Sequence, residues 1–181
     1  MVEATEGRKL IPTIWFTGLP CAGKTTLAEA FAVNLREKAY QVVHLDGDVL
    51  RKGLCADLGF SDDDRTENLR RVANVAELLN RNNILVLASF ISPTKVVREM
   101  IADIVTNVRF VYVQCSLEEC KRRDVKGMYA KAEAGEIDGF TGVGAPYEKP
   151  EKFTLRVNTE VNDLDACIEQ LMGGFVGSVA L

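Results

Sequence analysis

The residues from Gly18 to Thr25 form the clearest chemical pattern in the chain. Their sequence, GLPCAGKT, matches G-x-x-x-x-G-K-[ST] at every fixed position. The two glycines would let the backbone curl so that its N–H groups point at phosphate oxygens. Lys24 would then reach the β- and γ-phosphates of a nucleoside triphosphate, and the Thr25 hydroxyl would be a ligand of Mg²⁺. The residues predicted to bind this nucleotide are Gly18, Leu19, Pro20, Cys21, Ala22, Gly23, Lys24, Thr25 and Thr26.

Two carboxylates, Asp46 and Asp48, follow the next predicted strand. Ligands in a doubly wound sheet lie beyond the carboxyl ends of the strands, so both side chains are expected near the phosphate loop. A kinase needs one carboxylate beside the attacking hydroxyl, to accept or orient its proton, and another to hold magnesium waters. Taken alone, Asp-Gly-Asp is equally well interpreted as an Asx turn.

The elements that would position these residues alternate between short strands and helices. Apolar and β-branched runs predict strands over 13–17, 42–45, 84–88, 108–113 and 153–157. Apolar residues at helical spacing predict helices over 24–38, 66–80 and 96–105, and a last helix that includes Leu164 and Leu171. Such alternation predicts an α/β fold, a P-loop kinase-like parallel sheet with helices on both faces.

The segment 124–150 interrupts this periodicity with repeated glycines and lysines. A long irregular stretch inside a compact domain is usually a lid or a binding loop. We therefore expect one domain over 1–181, with an N-terminal arm at 1–10, a lid region at 124–150 and a tail at 173–181. The tail is rich in small residues, and both a docked and a frayed conformation are open.

Composition excludes several classes of protein. The 181 residues are 47% hydrophobic and 27% charged, which fits a globular domain. No apolar run approaches the ~20 residues of a membrane span, and the polar start lacks the apolar core of a signal peptide. The net charge of −4 does not suggest binding to nucleic acid. An odd set of five cysteines without a C-x-x-C pair indicates free thiols in a reducing cytoplasm.

Further motifs follow the phosphate loop in a fixed order. They are DGDVLRKGL at 46–54, DLGFS at 57–61, DRTENLRR at 64–71, SFISP at 89–93, RDVKGMY at 123–129, FTG at 140–142 and PYE at 146–148. Over residues 13–160 this pattern resembles the adenylylsulfate kinases (APS kinases), P-loop enzymes that phosphorylate the 3′-hydroxyl of adenosine 5′-phosphosulfate (APS). The resemblance implies ATP and Mg²⁺ as cofactors and a role in sulfate activation. It also suggests a homodimer and a functional link to ATP sulfurylase.

An acceptor with a phosphosulfate group and an adenine ring needs cations and an aromatic surface. Arg51 and Arg65 carry planar, permanently charged groups that suit phosphosulfate oxygens. Asn68 can form a directional hydrogen bond to the nucleotide. By the family pattern, Phe60 and Phe140 clamp the adenine, and base–aromatic stacking of this kind is worth about 1–3 kcal/mol.

The resemblance also suggests roles at the reacting groups. Asp48 is our choice for the base near the 3′-hydroxyl and Asp46 for holding magnesium together with Thr25, although the two carboxylates could exchange roles. Lys126, in the expected lid, is similar to the family lysine that approaches the phosphates. The predicted catalytic residues are Lys24, Asp46 and Asp48.

Ile91 and Ser92 lie against the acceptor by the same resemblance, and family members have been discussed as carrying phosphate on this serine. In-line transfer between two bound nucleotides needs no covalent intermediate, because phosphoryl transfer is mostly positioning and charge neutralisation. We therefore assign Ser92 to substrate binding and expect direct transfer.

Three positions depart from the family pattern: Val49 replaces an asparagine, Pro20-Cys21 replaces small residues, and Gly144-Ala145 replaces an acidic pair. Only the last is expected to alter lid closure or acceptor affinity. Simpler interpretations also exist, in which Phe60 is a core residue and Cys21 only a small one, with a reactive thiol at Cys21 as a side hypothesis.

The rival functions are a P-loop kinase of a sugar acid or shikimate, and a nucleotide-dependent switch or silent paralogue. Sugar acids and shikimate need no aromatic clamp, and no N-K-x-D guanine motif occurs in the chain.

Overall fold

The computed structural model describes residues 11–176; the predicted N-terminal arm and the last five residues of the tail lie outside them. The strands of this part of the chain are β1 (Thr13–Thr17), β2 (Val42–Asp46), β3 (Leu85–Ser89), β4 (Val108–Gln114) and β5 (Leu155–Asn158). The helices are α1 (Lys24–Glu37), α2 (Gly47–Leu50), α3 (Asp62–Arg81), α4 (Lys95–Ile104), α5 (Leu117–Arg122), α6 (Met128–Glu133) and α7 (Leu164–Phe175).

The strands form one sheet in the order β2-β3-β1-β4-β5, and every pairing is parallel. All five residues of β1 are buried, as expected for a central strand covered on both faces. Ile14 and Phe16 pack with α1 and α7, whereas Trp15 packs on the opposite face with α3 and α4. The predicted α/β fold is therefore confirmed, and the carboxyl ends of all five strands share one edge.

The helices differ from the predicted elements in several places. Helix α3 begins four residues earlier than predicted, because the Ser61 hydroxyl accepts a hydrogen bond from the Asp64 N–H and three acidic residues follow in the first turn. The short helices α2 and α5 were not predicted. Segment 124–150 is not wholly irregular, since it contains α6.

The first residues of the expected tail are docked rather than frayed. Helix α7 continues through Gly173 and Gly174 to Phe175, whose ring is buried with its centroid 6.3 Å from that of Phe31. Among residues 11–176, no helix is both long and apolar enough to cross a bilayer.

Candidate active site

A cleft of about 1180 Å³ opens at the carboxyl edge of the sheet, where β1, β2 and β3 end. Six of the residues predicted to bind the nucleotide line it: Pro20, Cys21, Gly23, Lys24, Thr25 and Thr26. The predicted acceptor residues Asp48, Arg51, Phe60, Arg65, Asn68, Ile91, Ser92, Lys126 and Phe140 also line it, together with Asp46. Residues far apart in the sequence, which were predicted to serve two nucleotides, thus share one cleft.

Gly18, Leu19 and Ala22, the remaining residues predicted to bind the nucleotide, do not line this cleft. A Cβ on Gly18 would lie 2.5 Å from the Val113 carbonyl oxygen, so only glycine fits there. Gly23 has a φ of 92° and directly precedes α1. Ala22 is fully buried, and Leu19 lines a separate cavity of about 740 Å³.

The Lys24 ammonium lies inside the phosphate loop. Nζ donates hydrogen bonds to the carbonyl oxygens of Gly18, at 3.0 Å, and Leu19, at 2.7 Å. Burial lowers the pKa of Lys24 to about 8, although Asp46 and Asp48 contribute in the opposite direction. None of the salt bridges among residues 11–176 involves Lys24, so its ammonium is available to phosphate oxygens.

Asp46 accepts hydrogen bonds at both carboxylate oxygens. Oδ2 accepts from the hydroxyls of Thr25, at 2.8 Å, and Ser89, at 3.0 Å, while Oδ1 accepts from the N–H groups of Asp48 and Val49. Burial raises the pKa of Asp46, but these hydrogen bonds outweigh burial and hold the pKa below its ordinary value. Asp46 is thus both the N-cap of α2, as in an Asx turn, and a charged group next to Thr25.

The donor set around Asp46 suits Mg²⁺. Magnesium is bound in proteins by one or two oxygen ligands together with waters and phosphate oxygens. Thr25 donates its hydroxyl proton to Asp46, so the lone pairs of its oxygen are free to hold a cation.

Asp48, on α2, lies on the surface of the same cleft and is paired with Lys126. Nζ of Lys126 is 2.5 Å from Oδ2 of Asp48, and both side chains are about two-thirds exposed. The hydrogen bond to Asp48 raises the pKa of Lys126. Segment 124–150 therefore contacts the predicted base directly.

Arg51 and Phe60 both line the cleft and stack on one another. The guanidinium carbon of Arg51 lies 4.4 Å from the centroid of the Phe60 ring, and its Nη1 donates to the Gly59 carbonyl at 2.8 Å. Phe60 is 69% exposed, so its interpretation as a core residue is wrong. An exposed ring beneath a guanidinium is a surface on which a planar base can stack.

Phe140 belongs to segment 124–150 and is held more tightly than Phe60. Its ring packs edge-on against Tyr129, with a centroid distance of 5.0 Å. Tyr129 in turn donates its hydroxyl hydrogen to the Pro20 carbonyl oxygen at 3.1 Å. Phe140 is thereby connected to the phosphate loop through Tyr129.

Asn68 carries a buried polar atom that lacks a partner. The residue is 4% exposed, and its Oδ1 atom accepts no hydrogen bond from the described residues. Buried amide oxygens are nearly always hydrogen-bonded, so this one indicates a donor on a ligand. The position of Asn68 on the cleft side of α3 fits that interpretation.

Ser92 faces the protein interior as well as the cleft. It is 1% exposed, has a φ of 45°, and its Oγ accepts a hydrogen bond from Trp15 Nε1 at 2.9 Å. The preceding residue, Ile91, offers its carbonyl oxygen to the Thr17 hydroxyl at 2.6 Å. The loop after β3 is therefore tied to β1 at the position expected to meet the acceptor.

Cys21 and Arg71 have structural environments. Burial, followed by the Asp124 carboxylate, raises the pKa of Cys21 above its ordinary value, which disfavours a reactive thiolate. Arg71 forms ion pairs with Asp57 and Glu67. Val49 is 64% exposed and lies outside the cleft lining.

One end of the cleft was not predicted from the sequence. Its lining includes Arg123 and the residues after β5, namely Thr159, Asn162, Asp163, Leu164 and Cys167. Arg123 donates to the Thr159 carbonyl at 2.7 Å, and the Thr159 hydroxyl donates to the Ala22 carbonyl at 2.9 Å. The sequence feature that could have predicted this part of the cleft is its position directly after a strand of the parallel sheet, at the edge where ligands bind.

Comparison with known proteins gives a consistent result. A profile of the family described as adenylylsulphate kinase matches residues 11–158. An adenylyl-sulfate kinase of Prochlorococcus marinus is 45% identical over 97% of this chain and 88% of its own length. One of Halothermothrix orenii is 51% identical over 82% of this chain and 80% of its own length. The solved structure of the Mycobacterium tuberculosis APS kinase CysC in complex with AMPPNP and APS superposes with a TM-score of 0.89, at 40% identity, covering 92% of this chain and 98% of that one.

Proposed function

The chain belongs to the adenylylsulphate kinase family, and on that premise we propose that it transfers the γ-phosphoryl group of ATP to the 3′-hydroxyl of APS. The products are ADP and 3′-phosphoadenosine 5′-phosphosulfate (PAPS), and the reaction belongs to sulfate activation. One observation carries the proposal. A phosphate loop and a second site with arginines, an exposed aromatic ring and an unpartnered buried amide oxygen share a single cleft.

The acceptor site has the chemistry that APS requires. The adenine ring stacks on Phe60 and is enclosed from the other side by Phe140, while Arg51 and Arg65 face the phosphosulfate oxygens. The Asn68 Oδ1 atom accepts a hydrogen bond from the nucleotide, which supplies the partner that it lacks in the free protein.

At the reacting groups, the protein supplies mainly position and charge. Lys24 moves from the loop carbonyls to the phosphates, and its positive charge compensates the charge of the transferring group. Thr25 and Asp46 would hold Mg²⁺, which would supply positive charge to neutralise the phosphate oxygens. Asp48 accepts or orients the proton of the 3′-hydroxyl. No residue forms a covalent intermediate, and Ser92 contributes to acceptor binding only.

The ion pair with Lys126 engages Oδ2 of Asp48 and makes the carboxylate a weaker proton acceptor until the pair opens. The triphosphate of ATP competes for Lys126, because three phosphate groups carry more negative charge than one carboxylate. Transfer of Lys126 to the phosphates would free Asp48 and draw segment 124–150 over the cleft. In this proposal the segment is a lid that completes the acceptor site with Phe140 and excludes water.

The test is ADP release from MgATP with and without APS, with shikimate and gluconate as control acceptors. We expect release that depends on APS. Release with a control acceptor would keep the fold and the phosphate loop but overturn the acceptor site. Nucleotide binding without acceptor-dependent release would favour a regulatory paralogue.

The setting of the enzyme is also proposed. The five free cysteines support a reducing, cytoplasmic location. The family resemblance supports a homodimer, a single domain over the whole chain and a functional link to an ATP sulfurylase that supplies APS. Light scattering of the purified protein, with and without ATP analogue, tests the dimer.

A further inference from the structure

His44 is connected to the proposed magnesium site through one serine. Its Nε2 atom lies 2.8 Å from Ser89 Oγ, and Ser89 Oγ donates to Asp46 Oδ2 at 3.0 Å. The parallel register of β2 and β3 pairs Asp46 directly with Ser89 and places His44 two residues earlier on the same face of β2. These three side chains are therefore linked by two consecutive hydrogen bonds at the carboxyl edge of the sheet.

The direction of each hydrogen bond follows from the proton count. An ionised carboxylate only accepts, so the single proton of the Ser89 hydroxyl lies toward Asp46. The Ser89 oxygen must then accept from His44, which requires the proton of the imidazole to be on Nε2. Because a hydroxyl that accepts a hydrogen bond becomes a stronger donor, His44 strengthens the bond from Ser89 to Asp46.

The orientation of the Asp46 carboxylate depends on the hydrogen bonds that link His44, Ser89 and Asp46. Its Oδ1 atom is held by the N–H groups of α2, and its Oδ2 atom is shared by Ser89 and Thr25. Without the donor at Ser89, Thr25 would be the one remaining side-chain donor to Oδ2, and the carboxylate would be held less firmly against rotation about its side-chain bonds. Loss of partners of this kind, one hydrogen bond removed from the metal ligands, typically lowers metal affinity or activity by about 10- to 100-fold.

We propose that His44, acting through Ser89, is a positioning residue that orients Asp46 toward Thr25 for Mg²⁺ binding. The inference rests on the magnesium site of the proposed function, and it adds two residues that neither the phosphate-loop motif nor the cleft chemistry assigns to that site. His44 itself touches neither the metal nor a nucleotide.

The test measures metal binding directly and does not depend on turnover. Mn²⁺, which electron paramagnetic resonance detects, is titrated into the protein saturated with AMPPNP. We expect His44→Leu to weaken Mn²⁺ binding by about threefold to tenfold and Ser89→Ala by about tenfold. His44→Gln can place an N–H group near the position of Nε2, and we expect it to recover most of the affinity. Gln41→Leu, a polar-to-apolar change just before β2 at an exposed residue, is the matched control and should bind like the unmodified protein.

A double variant distinguishes loss of the positioning of Asp46 by His44 from a general disturbance of strand β2. In the Ser89→Ala background, His44→Leu should cause no further loss of Mn²⁺ affinity, because the hydrogen-bond link from His44 to Asp46 is already absent. Additive losses, or wild-type affinity in His44→Leu, would overturn the proposal. If His44→Leu does not fold, the Mn²⁺ affinities of the Ser89→Ala and His44→Gln proteins test the positioning role instead. Equal affinity of Ser89→Ala and wild type would then overturn it.

The two proposals fail separately. A protein that binds Mn²⁺ in a His44-dependent way but releases no ADP with APS would retain the positioning role and lose the proposed reaction. A protein that turns over APS while His44→Leu binds Mn²⁺ normally would retain the reaction and lose the positioning role.

Discussion

Lys126 and Asp48 form an ion pair across the mouth of the cleft, with Nζ and Oδ2 2.5 Å apart. Lys126 belongs to segment 124–150, and Asp48 belongs to α2 at the end of the second strand. In the free protein, Lys126 of the proposed lid is thus paired with Asp48, the proposed base. The contact is exposed, and an exposed ion pair is worth at most about 1 kcal/mol, so ATP can displace it at little cost.

Replacing Asp48 by asparagine tests its role as the base. Asp48→Asn keeps the shape of the side chain but removes the proton acceptor, so turnover should fall by about 10²- to 10⁴-fold. The dissociation constant of ATP, measured by calorimetry, should change little. Lys126→Met is the control for loss of the ion pair and should reduce turnover less. Near-normal turnover in Asp48→Asn would assign the base elsewhere, with Asp46 as the next candidate.

Replacing Phe60 tests the stacking surface. Because Phe60 is 69% exposed, Phe60→Ala should leave the free energy of unfolding within about 0.5 kcal/mol of wild type. The KM for APS should rise by a factor that corresponds to about 1–3 kcal/mol. Phe153→Ala is a matched control, since this partly exposed phenylalanine packs on Tyr112 outside the cleft. An equal rise of KM in both variants would contradict the clamp.

The unpartnered oxygen of Asn68 predicts an unusual combination of effects. Asn68→Leu has a similar volume and removes a buried acceptor whose desolvation is not compensated, so stability to urea should be unchanged or higher. Affinity for APS should nevertheless fall by about tenfold, because the hydrogen bond to the nucleotide is lost. A destabilised variant with a normal KM for APS would show that Asn68 has a structural role instead.

Ser92 distinguishes direct transfer from a phosphoserine mechanism. Ser92→Ala should keep substantial turnover, because the buried hydroxyl accepts from Trp15 and is 1% exposed. The variant should lose about 1–3 kcal/mol of stability, since the Trp15 N–H is left without its acceptor. Turnover and urea unfolding measure the two effects. Loss of activity with intact nucleotide binding would favour a covalent role for Ser92.

The lowered pKa of Lys24 predicts that ATP binding is linked to proton uptake. With a pKa of about 8, much of Lys24 is neutral in the free protein above that pH, whereas the bound phosphates favour its charged form. Affinity for ATP should therefore fall as the pH rises above 8, by at most about tenfold per pH unit, and this group should have no effect well below pH 8. Calorimetry at about pH 9 in two buffers of different ionisation enthalpy measures the proton uptake. Lys24→Arg stays charged throughout, so uptake that persists in that variant would contradict the assignment to Lys24.

Local patterns in the sequence were sufficient for the fold class and for the phosphate-loop motif. The G-x-x-x-x-G-K-[ST] spacing and the alternation of apolar strands and amphipathic helices act over a few residues, so they can be recognised without coordinates. The resemblance added residues such as Phe60 and Phe140, whose types alone would also suit a protein core.

Contacts between distant segments were decided only by the tertiary structure. Parallel pairing of β2 with β3 joins Asp46 to Ser89 and His44, and no pattern in the sequence links residues 44 and 89. Strand pairing also brings the loop after β5 to the cleft, since the sheet order places β5 two strands from β1. Sequence spacing specifies which side chains share a face of one element, whereas the packing of several elements specifies which faces meet.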